Sequence, residues 1–264
     1  MRIQTLTPIW KRPEVLKVFL IKFMELRKHT KKKGIQLDLT PIFSAHHKGV
    51  YYPGEFFTST HLFSRYAIDT NFIRVSCTDN HPLGAKKNHG LNRILDVEWD
   101  YLLELGSDNV MHPKIFDYYK PYIDKKELMF GFTEGYVCEP KTKRCIWTKN
   151  RWNDGMCQGA GRMIHRSVVE KTIYKMGSLW LDESESGLDT ESRKRINNAY
   201  GRTTNDPLEK VVKAPHPMVL DIKTNTNLWP MVWFDKWMER HPENFEEVDY
   251  EKITKEFGVW ESLK

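Results

Sequence analysis

From residue 2 to residue 132 the chain switches repeatedly between two periodicities, and no other feature limits its fold as much. Residues 2–7 (RIQTLT) read as a short strand. Pro13 then opens a helix, where a missing N–H is harmless. Val15, Leu16, Phe19, Phe23 and Leu26 recur at helical spacing, and Gly34 closes the segment. Ile35, Leu37 and Leu39 alternate as a strand that Pro41 should stop. Residues 42–71 read as irregular and are rich in His, Tyr, Phe and Gly. A strand follows at 72–77 (FIRVSC), then a helix at 84–97 with Leu91, Ile94 and Leu95 on one face. Tyr101–Leu105 (YLLEL) is an apolar strand, Pro113 opens another helix, and 127–132 (ELMFGF) is again a strand. Strands alternating with helices predict a doubly wound α/β sheet. Such sheets bind ligands at the carboxyl ends of their strands, here just after Leu6, Cys77 and Leu105.

The second half is less regular. It reads as a hairpin at 136–148, a helix near 164–175, a helix at 189–200 closed by Gly201, a strand near 217–223 and an aromatic helical tail. The polar stretch 201–210 reads as a loop. With 264 residues the chain fits one large domain with a modest extension, divided as 1–228 and 229–264. No apolar run approaches 18 residues, which speaks against a membrane span. The first residues, MRIQTLTPIWKRP, do not read as a secretory signal. Reduced thiols and a cytoplasmic location are therefore expected. The cysteines, Cys77, Cys138, Cys145 and Cys157, contain no CxxC pair that would suggest zinc, although Cys138 and Cys145 could face each other across the hairpin.

The net charge of +6 is modest, but its distribution is uneven. Residues 22–33 carry six basic side chains and one acid, and 141–151 carry five basic side chains and none. Residues 182–191 (DESESGLDTE) hold five acids and no base. The basic runs read either as solvated faces or as phosphate contacts.

Several segments carry chemistry. Leu105 runs into Gly106-Ser107-Asp108-Asn109, a carboxylate and an amide at a strand end that suit a divalent cation, or a cap for the next helix. Asp79-Asn-His-Pro-Leu-Gly84-Ala-Lys86-Lys87-Asn88 follows a strand and opens a helix. There Gly84 would let a ligand approach the backbone, and the free N–H groups with a lysine would favour an anion. Gly159-Ala160-Gly161-Arg162 reads as a turn before the next helix. Asp189, after Gly187-Leu188, reads as a helix cap. Trp229, Trp233, Phe234 and Trp237 in the tail read as core or as a stacking surface.

In this order the segments TPIWKRP, PLGAKKNHGL, DYLLELGSDN, GAGRMIHR and GLDTESR resemble a GT-A-type glycosyltransferase of the large family-2-like group, including small bacterial and phage forms. The resemblance covers roughly residues 3–225. It implies a Rossmann-like mixed sheet, a nucleoside-diphosphate sugar as donor, and Mn²⁺ or Mg²⁺. It places Thr7, Pro8, Arg12 and Asp79 at the nucleoside, Lys86, Asn88 and Ser107 along the nucleotide, and Gly159, Ala160, Gly161 and Arg162 by the donor sugar. Asp108 falls on the metal, with His216 as a second ligand and Lys223 as an alternative positive charge. Gly106 stands where the family has the first acid of its DxD, and Leu188 where it often has Glu. Asp189 matches the general base of the inverting members, and Trp180 and Arg193 the acceptor side. The implied acceptor is an envelope glycan or a hydroxymethylated phage DNA base, the latter in keeping with the basic runs. Two competing readings are a sugar-1-phosphate nucleotidyltransferase, whose Gly-rich Arg/Lys segment TPIWKRPE lacks, and a non-catalytic nucleic-acid or glycan-binding module.

Overall fold

The alternation read from the sequence becomes two faces of one sheet in a computed structural model that describes residues 1–66, 75–149, 156–203, 206–224, 227 and 230–263. The first half runs β1 (Arg2–Pro8), α1 (Pro13–Lys31), β2 (Gln36–His47), β3 (Val50–Tyr51), α2 (Pro53–Tyr66), β4 (Val75–Asp79), α3 (Leu83–Ile94), β5 (Tyr101–Glu104), β6 (Asn109–Met111), α4 (Ile115–Asp124) and β7 (Met129–Gly131). The hairpin β8 (Gly135–Glu139) and β9 (Arg144–Thr148) follows. Next come β10 (Met163–His165), α5 (Arg166–Met176), α6 (Leu188–Tyr200), β11 (Glu209–Val211) and β12 (Val219–Ile222). The tail holds α7 (Met231–Arg240), β13 (Phe245–Val248), α8 (Tyr250–Glu256) and α9 (Trp260–Leu263).

Among the described residues, eight strands form a mixed sheet, ordered β11-β7-β10-β5-β1-β2-β3 with β4 also on β2. β1, β2, β4 and β5 are parallel, and β10 runs against β5 and β7. Successive side chains point to opposite faces. Ile3, Leu37, Leu39, Leu103 and Phe130 pack under α1, α2 and α4. Leu6, Ile42, Leu102, Met129 and Ile164 pack under α3, α5 and α6. Each such buried side chain contributes about 1.5–3 kcal/mol. A second sheet, β13-β9-β8-β12-β6, packs beside α1 and α8.

Some expectations need correction. β2 runs through Pro41 instead of stopping there. Ile42 turns its carbonyl to Ile9 on the β1 side, at 2.9 Å, so Pro41 faces away from β1. The missing N–H therefore interrupts no bond of the β1–β2 ladder. The stretch read as irregular holds the end of β2, β3 and α2; only Ser59 and Phe63 of α2 are buried, which left it little apolar period to read. β10 precedes α5 where a helix start was expected, and β11 lies at the end of the expected 201–210 loop. The tail supplies a strand as well as helices, because β13 pairs with β9. Trp229 and the first residues of the predicted 72–77 strand lie outside the described residues.

Cys138 and Cys145 stand opposite each other in the hairpin register, with Cα atoms 4.1 Å apart, and their sulfurs are bonded. This replaces the expectation of reduced thiols at these two positions. Among the described residues no helix is long and apolar enough to cross a membrane.

Candidate active site

Residues 105–108 are the seam between the two sheets, since β5 belongs to the large one and β6 to the small one. Gly106 is required there, because a Cβ on it would lie 2.6 Å from the Asp108 carboxylate and 2.9 Å from Asn109 Oδ1. An acid at this position would collide with its own neighbours. Asn109 Oδ1 also accepts the Gly106 amide at 2.8 Å, which closes the turn and aims Asp108 at the carboxyl end of β1.

Arg12 meets it there. Lys11 and Arg12 both adopt left-handed backbone, with φ of 54° and 56°, at about 1–2 kcal/mol each for residues other than glycine. That turn brings Arg12 Nη1 to 2.8 Å from Asp108 Oδ2, with Nη2 3.5 Å from Ser107 Oγ. Asn227 donates to the same carboxylate oxygen at 2.7 Å. The Ile222 amide donates to the Asp108 carbonyl at 2.8 Å, which brings in Lys223, itself paired with Asp221 at 2.6 Å. Burial would push the Asp108 carboxyl up, but Arg12 and Lys223 outweigh it and hold the group below the usual carboxylate range.

Asp189 lies across the β5 end. The helix cap is Gly187, with φ of 67°, so Asp189 falls inside the first turn of α6 and leaves its own helix amides alone. Its Oδ2 accepts the Gly159 amide at 3.1 Å. A Cβ on Gly159 would sit 2.1 Å from that carboxyl group. Gly159→Ala should therefore dislodge Asp189 while leaving the Asp108 side intact. Hydrogen exchange of the residue-159 amide should then rise at least tenfold while the Gln158 amide, bonded to the Phe132 carbonyl, is unchanged; retained protection would show that Asp189 keeps its place.

Other predicted residues serve the protein rather than a ligand. Gly84 makes room for the Leu181 carbonyl, which would lie 1.8 Å from a Cβ there. The amides of Gly84 and Ala85, expected to hold an anion, donate to Ser184 and Asp182 carbonyls at 2.8 and 3.1 Å. Lys86 is fully buried, donating to the Ile9 carbonyl and Asn80 Oδ1, each at 2.7 Å. Asn88 exchanges hydrogen bonds with the Trp180 backbone and donates to Asp182. Trp180 is itself fully buried, which removes it from the acceptor surface, as does the buried pairing of Arg193 with Glu209 at 3.7 Å. Thr7 is also buried, leaving Pro8 as the partly exposed end of β1. Gly161, with φ of 85°, makes a turn beneath Tyr119, whose hydroxyl donates to its carbonyl at 2.5 Å. Ala160 packs against the core. Arg162 is fully buried and bonds Glu104 and Ser192.

On the β2 side, Asp79 accepts the amides of Gly49, His81 and Lys48 at 2.9–3.1 Å. Against a desolvation penalty, these bonds hold its carboxyl below the usual range. It thereby fixes the β2–β3 turn and a ring cluster that sequence reasoning missed. Trp10 stacks on His47 at 5.3 Å and meets Tyr52 edge-on at 5.4 Å, and Lys11 lies 4.8 Å from the Tyr52 ring. Burial, then His81 and Lys48, lower the His47 pKa. An open groove lined by Tyr51, Tyr52 and Pro13 adjoins these rings. The aromatic content of residues 42–57 was the available signal.

The residues present do not fit a preformed metal centre. Asp108 Oδ2 already accepts from the Arg12 guanidinium and the Asn227 amide. β12 runs antiparallel to β6, so Lys223 lies beside Asp108 and His216 lies at the other end, against His112 and 3.1 Å from Glu256. Among the described residues no three His, Cys, Asp or Glu side chains converge as a metal site.

Of the basic runs, the first lies away from Arg12 and two members of the second are paired within the chain. Lys28, Lys31, Lys32 and Lys33 are at the far end of α1 from Arg12, about 27 Å away at 1.5 Å per residue. Arg144 pairs with Asp235 at 2.9 Å and with Glu247, and Lys149 pairs with Glu246 at 2.6 Å.

No protein-family model and no curated protein sequence matches this chain. Solved structures do. TarS 1–349 of S. aureus in complex with UDP-GlcNAc superposes with a TM-score of 0.53 at 10% identity, over 98% of this chain and 71% of that one. TarS 1–349 alone gives 0.51 at 11% identity, over 84% and 60%. A further TarS structure gives 0.53 at 10% identity, over 98% and 43%. The chain thus spans 60% of the TarS 1–349 structure and 43% of the further TarS structure. With a mixed sheet whose parallel strands end on one crevice, and this likeness, the chain has the GT-A glycosyltransferase fold.

Proposed function

We propose that this protein transfers a sugar from a nucleoside-diphosphate sugar to a hydroxyl acceptor with inversion, using residues 1–228 as its catalytic domain and 229–264 as a packed extension. The observation that carries the reading is the Asp189 carboxylate, held by the Gly159 amide at the β5 end of a GT-A sheet. Asp189 would take the proton from the acceptor hydroxyl as its oxygen attacks the anomeric carbon. The diphosphate leaves toward Arg12 and Lys223. Two unit charges 4 Å apart interact by about 4 kcal/mol at an effective dielectric near 20. The Trp10, His47 and Tyr52 rings offer the base an apolar face. Lys28, Lys31, Lys32 and Lys33 stand at the far end of α1 from Arg12, and Arg144 and Lys149 are paired with acids of their own chain, which favours a saccharide acceptor over DNA.

The test is a panel of uridine, guanosine, cytidine and thymidine diphosphate sugars, beginning with UDP-GlcNAc, each with Mn²⁺ and with EDTA. A ligand at 100 times its dissociation constant adds about 2.7 kcal/mol of stability. One nucleotide family should raise the melting temperature by several degrees. Because Arg12 occupies Asp108, Mn²⁺ alone should give no shift and EDTA should not abolish the nucleotide shift. No shift with any donor would defeat the reading. Tight duplex-DNA binding with a steep salt dependence would return DNA as acceptor.

A further inference from the structure

Glu104 ends β5 with its carboxylate buried, and two cations from different elements close on it. Lys87 Nζ of α3 is 2.9 Å from Oε1, and Arg162 Nε is 2.6 Å from Oε2. Both cations reach onward to the same chain segment, 180–189. Lys87 lies 4.0 Å from the Trp180 ring, at the segment's start. At its end, Arg162 Nη1 donates to the Asp189 carbonyl at 3.1 Å, and Nη2 donates to Ser192 Oγ at 2.6 Å. Ser192 Oγ in turn donates to the Asp189 carbonyl at 3.1 Å. The middle of the segment is pinned by the Gly84 and Ala85 amides.

We infer that Arg162, seated on Glu104, is a positioning residue that sets where the Asp189 carboxylate stands. The catalytic part of this inference rests on the base reading proposed for Asp189; the geometric part does not. A flat guanidinium spreads five donors over a rigid fork and so fixes a carboxylate, a carbonyl and a hydroxyl relative to one another, whereas an ammonium carries its three donors on one freely rotating nitrogen. Arg162 has no exposed surface, so it touches neither donor nor acceptor. The charged groups around it are Glu104 of β5, Asp189 of α6 and Glu209 of β11, and they keep it protonated despite its burial.

The test follows the Gly159 amide, which is protected only while Asp189 Oδ2 accepts from it. Hydrogen exchange is measured at Gly159, with the Gln158 amide, bonded to the Phe132 carbonyl at 2.8 Å, as the local control. In Arg162→Lys, exchange at Gly159 should rise at least tenfold with Gln158 unchanged. With UDP-GlcNAc as donor, kcat should fall at least tenfold and the donor KM should stay within twofold. Retained Gly159 protection and an unchanged kcat per folded molecule would overturn the inference. If Arg162→Lys does not fold, Ser192→Ala decides, because it removes only the hydroxyl shared by Arg162 and Asp189. Its Gly159 exchange should rise severalfold, and no rise would overturn the inference. Asp189→Asn separates the two ideas, since wild-type transfer in that variant defeats the base reading while the exchange result stands.

Discussion

Asp189→Asn should lower sugar transfer by about 10²–10⁴, the usual contribution of a positioned general base, while nucleotide affinity stays within twofold. Asn is the informative replacement because its side-chain oxygen can still accept the Gly159 amide that now bonds Oδ2 at 3.1 Å. The first turn of α6 starts from Gly187 and does not depend on the Asp189 side chain for capping. Arg162 and Ser192 hold the Asp189 backbone carbonyl, which the substitution leaves in place. Geometry and fold should therefore survive, and only the capacity to accept a proton is lost. Turnover with the donor found in the nucleotide panel, set beside calorimetric affinity for its nucleoside diphosphate, checks this. A turnover within threefold of wild type would remove Asp189 from the mechanism. A parallel loss of affinity would move it to the donor site.

The sheet was legible because its side chains obey period-2 alternation on both faces. Leu102 and Leu103 serve opposite cores, and so do Leu39 and Ile42. The site was legible only as a set of positions. Gly84, Asn88 and Trp180 stood out, but the partner of the Gly84 amide is Ser184, a hundred residues later. No local pattern says whether such an amide will meet a phosphate or a carbonyl of its own chain. His216 and Lys223 were both candidates beside Asp108, and only the antiparallel register of β12 on β6 decides between them. Arg12 was placed at the nucleoside. Its left-handed backbone turns it instead to Asp108, which no count of residue types reveals. Glu104 sat in plain view within YLLEL, yet its two cations come from α3 and from the turn before β10.

Glu104→Gln should destabilise the fold by about 3–5 kcal/mol, the range for removing one partner of a buried ion pair. The carboxylate is only 4% exposed, and Lys87 and Arg162 converge on it from opposite sides. The amide keeps the size of the side chain but leaves two buried cations facing a neutral group. In urea the midpoint should fall with an unchanged slope, as for a loss of stability without a change in exposed surface. The pH dependence supplies a second, independent readout. Burial raises the Glu104 pKa, but Arg162 and Lys87 outweigh it and hold the carboxyl below its ordinary value. A group whose pKa is depressed in the folded state binds its proton more readily when unfolded. Its stabilisation is thus complete above the unfolded value near 4.3 and is lost as pH falls through the lower, folded value. Wild type should lose stability on acidification below about pH 4. Glu104→Gln, already lacking this carboxylate, should be less stable than wild type at pH 7, and the gap should narrow toward pH 3. Asp108, also held low, acts in the same acid window in both proteins and cancels from their difference. A cost under about 1 kcal/mol, or a gap that does not narrow with acid, would mean that Lys87 and Arg162 are satisfied without Glu104, and the arrangement that ties β5 to the 180–189 segment would have to be sought elsewhere.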